Sequence, residues 1–237
     1  MPSYELHYHG GPYAGRGEPI RMMLHLTGAD WEDVCRGKAE GPQVIQQLRD
    51  SGRVKGQPLL FPPTLLDLTL DTPTSITQLP CIMQYLAEKH NLAGSSLLEK
   101  TRALMITTTW NDLLENAMTA FHPIDLHASY TSQKEEAQPY IKKFLESRLP
   151  KFLQFFEDSL RLNGGGVGYM VGSDLSFADV AMLNMMRGYR GSAMEHFQSN
   201  EDIPLLKALE ERLLEEPKIK EFLQSDKTVN IFTDSFC

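Results

Sequence analysis

Residues 171–179 read Val171-Gly172-Ser173-Asp174-Leu175-Ser176-Phe177-Ala178-Asp179. Ser176 followed three positions later by Asp179 predicts a capping box at a helix start, with Asp in the place of the more usual Glu or Gln. The helix that follows, Phe177 to about Tyr189, is apolar nearly all round, which predicts a central, fully packed element. Its neighbours are helical too. Residues 97–121 form a long helical candidate that ends before Pro123. Residues 133–161 carry Ile141, Phe144, Leu145, Leu149, Phe152, Phe156 and Leu160 on one stripe, with Pro150 predicting a kink or break. Helices near 204–215 and 217–224 complete an all-helical texture, the second favoured by Pro217 as a first residue.

Before residue 92 the texture differs. Tyr4 to Tyr8 alternates as a short strand, and Ile20, Met23, Leu24 and Thr27 recur at helical spacing up to Gly28. Trp31 to Cys35 reads as a strand, 42–50 as a short helix, and 58–76 as strands joined by turns. Leu79, Ile82, Met83 and Leu86 mark an amphipathic helix from Gln78 to His90. The order is βαβαββα, so the fold expected is a mixed α/β domain over residues 1–91 and an all-helical domain over 96–237, divided near 90–96. Two units suit a chain of 237 residues.

The chain carries 31 acidic and 23 basic residues, a net charge of −8. That balance opposes a dedicated nucleic-acid binder, whose footprint is a basic face. Residues 1–92 are nearly balanced, with 8 basic against 10 acidic, and the rest of the acidity lies beyond them. Cys35, Cys81 and Cys237 are widely spaced and odd in number, which reads as a reducing, cytoplasmic setting rather than a disulfide framework. The opening Met-Pro-Ser-Tyr-Glu has no signal-peptide pattern, and no apolar run is long enough to span a membrane.

Several residues have types and positions suited to chemistry. Tyr8, at a strand end before a glycine-rich turn, is placed to donate to an anion; next to a thiolate this would favour ionisation of a thiol whose ordinary pKa is about 8.5. Tyr13 in the turn is a second candidate. A helix start near Gln78 presents backbone N–H groups to a carboxylate or phosphate. One member of the Pro62-Pro63 pair is a candidate cis residue that turns the backbone out as a recognition edge. Gly164-Gly165-Gly166-Val167-Gly168 lacks the Lys-Ser/Thr of a phosphate loop and reads as a surface loop. His7 and His9 complete no metal set, and Cys81 reads as core packing rather than a nucleophile.

Together these features resemble the cytosolic glutathione transferases of the tyrosine type, over nearly the whole chain. The resemblance lies in Tyr4-Glu5-Leu6-His7-Tyr8, in Gly15-Arg16-Gly17-Glu18-Pro19-Ile20-Arg21, in Pro62-Pro63-Thr64-Leu65, and in Thr77-Gln78 with Ile82 and Tyr85-Leu86. It extends through Arg148-Leu149-Pro150-Lys151-Phe152-Leu153 and the 171–179 stretch, which is similar to the family's capping box and its preceding apolar staple. It implies a thioredoxin-like glutathione-binding domain followed by a helical one, usually in a homodimer, and a detoxification role. It implies attack by the glutathione thiolate on a hydrophobic electrophile, with glutathione as co-substrate and no metal.

By the same resemblance Tyr8 hydrogen-bonds the sulfur, while Arg16, Pro62, Pro63, Gln78 and Leu79 surround the tripeptide. Tyr13, Met118, Phe121 and His122 would border the electrophile.

The departures are specific. Leu79, followed by Pro80, stands where the family carries Ser or Thr, removing a donor worth about 1.5–3 kcal/mol to a charged ligand. Asn116 stands where an acid often reaches the neighbouring subunit's glutathione. The Pro63–Gln78 segment is about four residues longer than usual, and one or two extra residues separate Tyr8 from Arg16. Leu79 and Asn116 motivate one rival, a non-catalytic ligand-binding or interaction protein; a further alternative is a glutathione-dependent isomerase, which would use the same thiolate site on an unsaturated or keto substrate.

Overall fold

The computed structural model describes residues 1–11, 14–38, 42–54, 56–126 and 128–229. They fall into two compact units: residues 1–91 with 217–229, and residues 92–216.

In the first unit the order is β1 (Tyr4–His7), α1 (Glu18–Thr27), β2 (Trp31–Asp33), α2 (Pro42–Asp50), β3 (Thr64–Asp67), β4 (Thr74–Thr77) and α3 (Leu79–Lys89). The strands form one mixed sheet in the order β2-β1-β3-β4. β1 runs parallel to β2 and antiparallel to β3, and β3 is antiparallel to β4. All four residues of β1 and of β3 are buried. This is why β1 reads only weakly as an alternating strand: neither face is left to water. The register aligns His7 with Thr64 and Thr64 with Thr77 in one row. The next residue along each strand in that direction is therefore Tyr8, Pro63 and Gln78. Three segments far apart in sequence end at one rim of the sheet.

The second unit is helical among its described residues: α4 (Leu97–Phe121), α5 (Lys134–Lys143), α6 (Leu149–Leu162), α7 (Phe177–Ser192), α8 (Met194–Ser199) and α9 (Pro204–Glu215). α4 opens on a capping box of Ser96 and Glu99. α7 opens on the expected one, in which Asp179 accepts from the Ser176 N–H and hydroxyl, both at 2.8 Å, and from the Met170 N–H at 2.6 Å. Twelve of the sixteen residues of α7 are buried, so it is the central helix its composition predicts. The buried Glu157 of α6 accepts from the Leu205 and Leu206 N–H groups, both at 3.0 Å, and so caps α9 from another helix. The 133–161 segment is broken: a π-helical turn over Phe144–Arg148 separates α5 from α6, and Pro150 sits in the first turn of α6, where its missing N–H costs nothing.

The last helix, α10 (Pro217–Gln224), belongs with the first unit, where it packs on α1. This differs from the division expected at 96–237. The cause is long-range and polar. Fully buried Glu18 accepts from the Thr228 hydroxyl at 2.6 Å and the Val229 N–H at 2.9 Å, and Arg36 donates to the carbonyls of Lys227 and Thr228. No helix of the described residues is long and apolar enough to cross a membrane.

Candidate functional site

The site candidates of the first unit gather at the sheet rim. Tyr8 follows β1 and is mostly buried. Its ring lies beneath the turn Gly15–Gly17: a Cβ at Gly15 would come within 2.3 Å of the phenolic oxygen, and one at Gly17 within 2.4 Å of the ring. Gly15 also has a φ of +44°, in the left-handed region that favours glycine. Both positions therefore exclude side chains so that Tyr8 can be held. The Arg16 N–H then donates to the Tyr8 oxygen at 3.0 Å.

On the other side the guanidinium of Arg21 is centred 5.6 Å from the Tyr8 ring. Arg21 is fully buried, paired with Asp33 at 2.7 Å and close to Glu18 at 3.5 Å. The Glu18-Pro19-Ile20-Arg21 stretch is thus internal scaffolding. Arg21 supports the tyrosine, and Glu18 anchors the C-terminal segment.

The Pro62–Pro63 peptide bond is cis, so Pro63 is the cis residue. Pro62, half-buried before it, has a carbonyl to offer and no N–H. Gln78 is exposed and stands at the N-cap of α3 with φ +71° and ψ 122°, a strained conformation for a side-chain-bearing residue. No side chain caps α3. Its first turn carries N–H groups on Leu79 and Cys81 but not on Pro80, at the positive end of the helix dipole. Leu79 is buried at 1 % exposure and turns into the core, so it supplies no side-chain donor.

Cys81 is exposed, not core-packed as its sequence context suggests. The buried stripe of α3 runs through Leu79, Ile82, Met83 and Leu86, and Cys81 falls off it. Tyr13 lies outside the described residues.

Residues 119–226 match the protein family described as "Glutathione S-transferase, C-terminal domain". The chain is 30 % identical to glutathione S-transferase P 1 of Xenopus laevis over 228 residues, 95 % of this chain and 94 % of the relative. The chain belongs to the cytosolic glutathione transferase family. Glutathione S-transferase A3 of Homo sapiens is likewise 30 % identical, over 93 % of this chain and 87 % of the relative. A solved pi-class glutathione S-transferase of Onchocerca volvulus superposes with a TM-score of 0.70 at 24 % identity, covering 94 % of this chain and 92 % of that one. The thioredoxin-like mixed sheet and the helical second unit are the fold of this family.

Within the second unit of this glutathione transferase family member, Met118 is half-buried near the end of α4 and Phe121 is buried beside Tyr130, with ring centroids 5.5 Å apart. Nδ1 of His122 is 3.0 Å from the Ala128 carbonyl, and because a carbonyl only accepts, Nδ1 carries the proton. Asn116 accepts from Arg148 Nε at 2.8 Å and donates to the Asp112 carbonyl. Its amide is therefore engaged within its own chain.

Asn116, Asp112, Glu115, Arg148, Lys151 and Phe152 line a groove of about 460 Å³ between α4 and α6. Asp112 is an acid on this wall one turn before Asn116, absent from the sequence-based candidates. The i, i+4 spacing was the available signal.

Proposed function

We propose that this protein conjugates the thiolate of glutathione to a hydrophobic electrophile, with the Tyr8 hydroxyl donating to the sulfur. The observation that carries the proposal is the row His7–Thr64–Thr77, which brings Tyr8, the Pro62-Pro63 edge and the Gln78 helix start to one rim of the sheet. A tripeptide fits such a rim in an extended form. Its γ-glutamyl carboxylate is suited to the α3 start, and the Pro62 carbonyl is suited to accept from its backbone. Its sulfur then faces the tyrosine. By accepting from the Arg16 N–H, the phenol is polarised into a stronger donor, which favours thiolate over thiol. The Arg16 side chain is suited to offset the ligand's carboxylates. No metal enters the proposed reaction.

The electrophile we assign to the apolar and aromatic residues at the end of α4: Met118, Phe121 and His122. We assign a homodimer as well. It is supported by the mixed-charge groove of the second unit and by the exposed Leu60 and Phe61, which precede the proline pair.

Buried Leu79 favours a second reading, a ligand-binding protein without turnover, because Leu79 offers the carboxylate no side-chain donor and leaves it the backbone N–H groups of α3 and the exposed Gln78. Calorimetric titration with glutathione, paired with turnover of chlorodinitrobenzene, separates the two readings. Binding with conjugate formation supports the transferase; hydrophobic-ligand binding with no conjugate at millimolar glutathione supports the second reading. An isomerase would return a product without glutathione in it.

A further inference from the structure

In the first unit the segment 225–229 docks on the buried carboxylate beside Arg21, and this ties it to Tyr8. Glu18 and Arg21 are both fully buried. Oε1 of Glu18 accepts from the Thr228 hydroxyl at 2.6 Å, and Oε2 accepts from the Val229 N–H at 2.9 Å. The segment has its own anchors: Arg36 donates to the Lys227 and Thr228 carbonyls, and the Lys227 ammonium lies 4.8 Å from the centre of the Trp31 ring. With its oxygens turned to this segment, Glu18 keeps Oε2 3.5 Å from Nη1 of Arg21. That is longer than a charged hydrogen bond of about 2.7–2.9 Å.

Arg21 therefore uses only part of its fork. Nε donates to Asp33 at 2.7 Å, while Nη1 and Nη2 make no hydrogen bond among the described residues. A buried cation with two nitrogens in that condition is unfavourable unless something else stabilises it. The Tyr8 ring does so. Its centre is 5.6 Å from the guanidinium carbon. A Cβ at Gly17 would lie 2.9 Å from Nη1 and 2.4 Å from the ring, so cation and ring face one gap that glycine leaves open. A positive charge at this ring favours negative charge on the phenolic oxygen, which makes the O–H a stronger donor.

We propose that Thr228 and Glu18 are positioning residues for Tyr8 that act through Arg21. By donating to both oxygens of Glu18, the segment keeps this carboxylate from closing a two-bond pair with Nη1 and Nη2, and the guanidinium stays at the ring. Without the Thr228 hydroxyl, Oε1 turns to the nearest unused donors, those of Arg21, and draws the positive charge away from Tyr8. The other groups placed against Tyr8 are the His9 ring, 4.8 Å away between centres, the Arg16 amide at the phenolic oxygen, and Cys35 at the Tyr8 backbone N–H. All of them are the same in the variants below. The consequence for catalysis rests on the transferase reading, whereas the effect on the phenol does not.

The Tyr8 phenol is titrated by ultraviolet absorbance in the full chain without glutathione, each protein against its own Tyr8→Phe counterpart so that the other tyrosines cancel. Thr228→Val is expected to raise the midpoint by about half a unit or more, and Thr228→Ser, which keeps the hydroxyl, to match wild type. Glu18→Gln has no carboxylate to compete for Arg21. Its midpoint is expected at or below the wild-type value, and adding Thr228→Val to it is expected to change nothing. A segment that only stabilised the fold would lower resistance to urea in these variants and leave the phenol midpoint in place. The proposal is overturned by an unchanged midpoint in folded Thr228→Val, by a failure of Thr228→Ser to restore it, or by an equal shift in the Glu18→Gln background. Should Thr228→Val not fold, a midpoint in Glu18→Gln above that of wild type overturns it. Turnover of chlorodinitrobenzene with glutathione is measured separately: its absence in wild type would remove the transferase reading and leave the phenol titration to decide the proposal.

Discussion

The backbone N–H of Arg16 donates to the phenolic oxygen of Tyr8 at 3.0 Å. Because the oxygen accepts this bond, the phenol donates its own proton in another direction. The contact is made by Arg16 through its backbone, so it depends on the path of the Gly15–Gly17 turn more than on the charge of the side chain.

That dependence is tested at Gly17, whose φ of −78° suits any residue. Gly17→Ala adds a Cβ that would sit 2.4 Å from the Tyr8 ring and 2.9 Å from Arg21 Nη1. The expected outcome is a loss of about 1–3 kcal/mol in urea unfolding, together with a fall in conjugating turnover larger than that of Arg16→Ala. Equal turnover in wild type and Gly17→Ala would separate the turn from the function of Tyr8.

Gln78 is held at φ +71° and exposed, which points to a role other than packing. Gln78→Gly relieves the strain, so stability is expected to hold or rise by about 1 kcal/mol. Glutathione affinity, measured by calorimetry, is expected to fall about tenfold with the loss of a side-chain hydrogen bond to the charged ligand.

Leu79→Ser is the converse test. It places a hydroxyl in the first turn of α3 and is expected to strengthen glutathione binding about ten- to a hundredfold. It removes a buried side chain, so the melting temperature is expected to drop, at a cost of about 2–4 kcal/mol. Unchanged affinity in a folded Leu79→Ser protein would show that a hydroxyl at this position does not reach the carboxylate.

Burial raises the carboxyl of Asp179 to about 6 from an ordinary 3.8, against the three hydrogen bonds it accepts. Between those values the folded chain holds a proton that the unfolded chain has released. The stability tied to that proton is complete below about 3.8 and declines as the pH rises through about 6, by about 3 kcal/mol. Asp179→Asn cannot titrate, so its stability measured from pH 3.5 to 7 should lack this segment of slope relative to wild type.

Local patterns made much of the fold legible. The bounds of α4 and α9 and the capping box of Ser176 and Asp179 follow from side chains within a few residues of each other. At the site, Tyr8, Gln78 and the proline pair were readable by type and position. What sequence could not show was set by partners far along the chain or by face. Glu18 holds Thr228 and Val229 some 210 residues away, which draws α10 into the first unit. Arg16 acts on Tyr8 through an amide that every residue except proline possesses. Cys81 and Leu79 are both apolar-looking residues in one turn of α3, and only the buried face distinguishes exposed Cys81 from internal Leu79.

The central claim is that Tyr8 stabilises the bound thiolate, and the ultraviolet absorbance of the thiolate in the glutathione complex reports this directly. Titrated against pH, the ionisation midpoint of bound glutathione should lie below that of free glutathione in the wild-type protein. In Tyr8→Phe it should rise by about one unit or more, equivalent to about 1.4 kcal/mol per unit. An identical midpoint in the two proteins, both saturated with glutathione, would contradict the account.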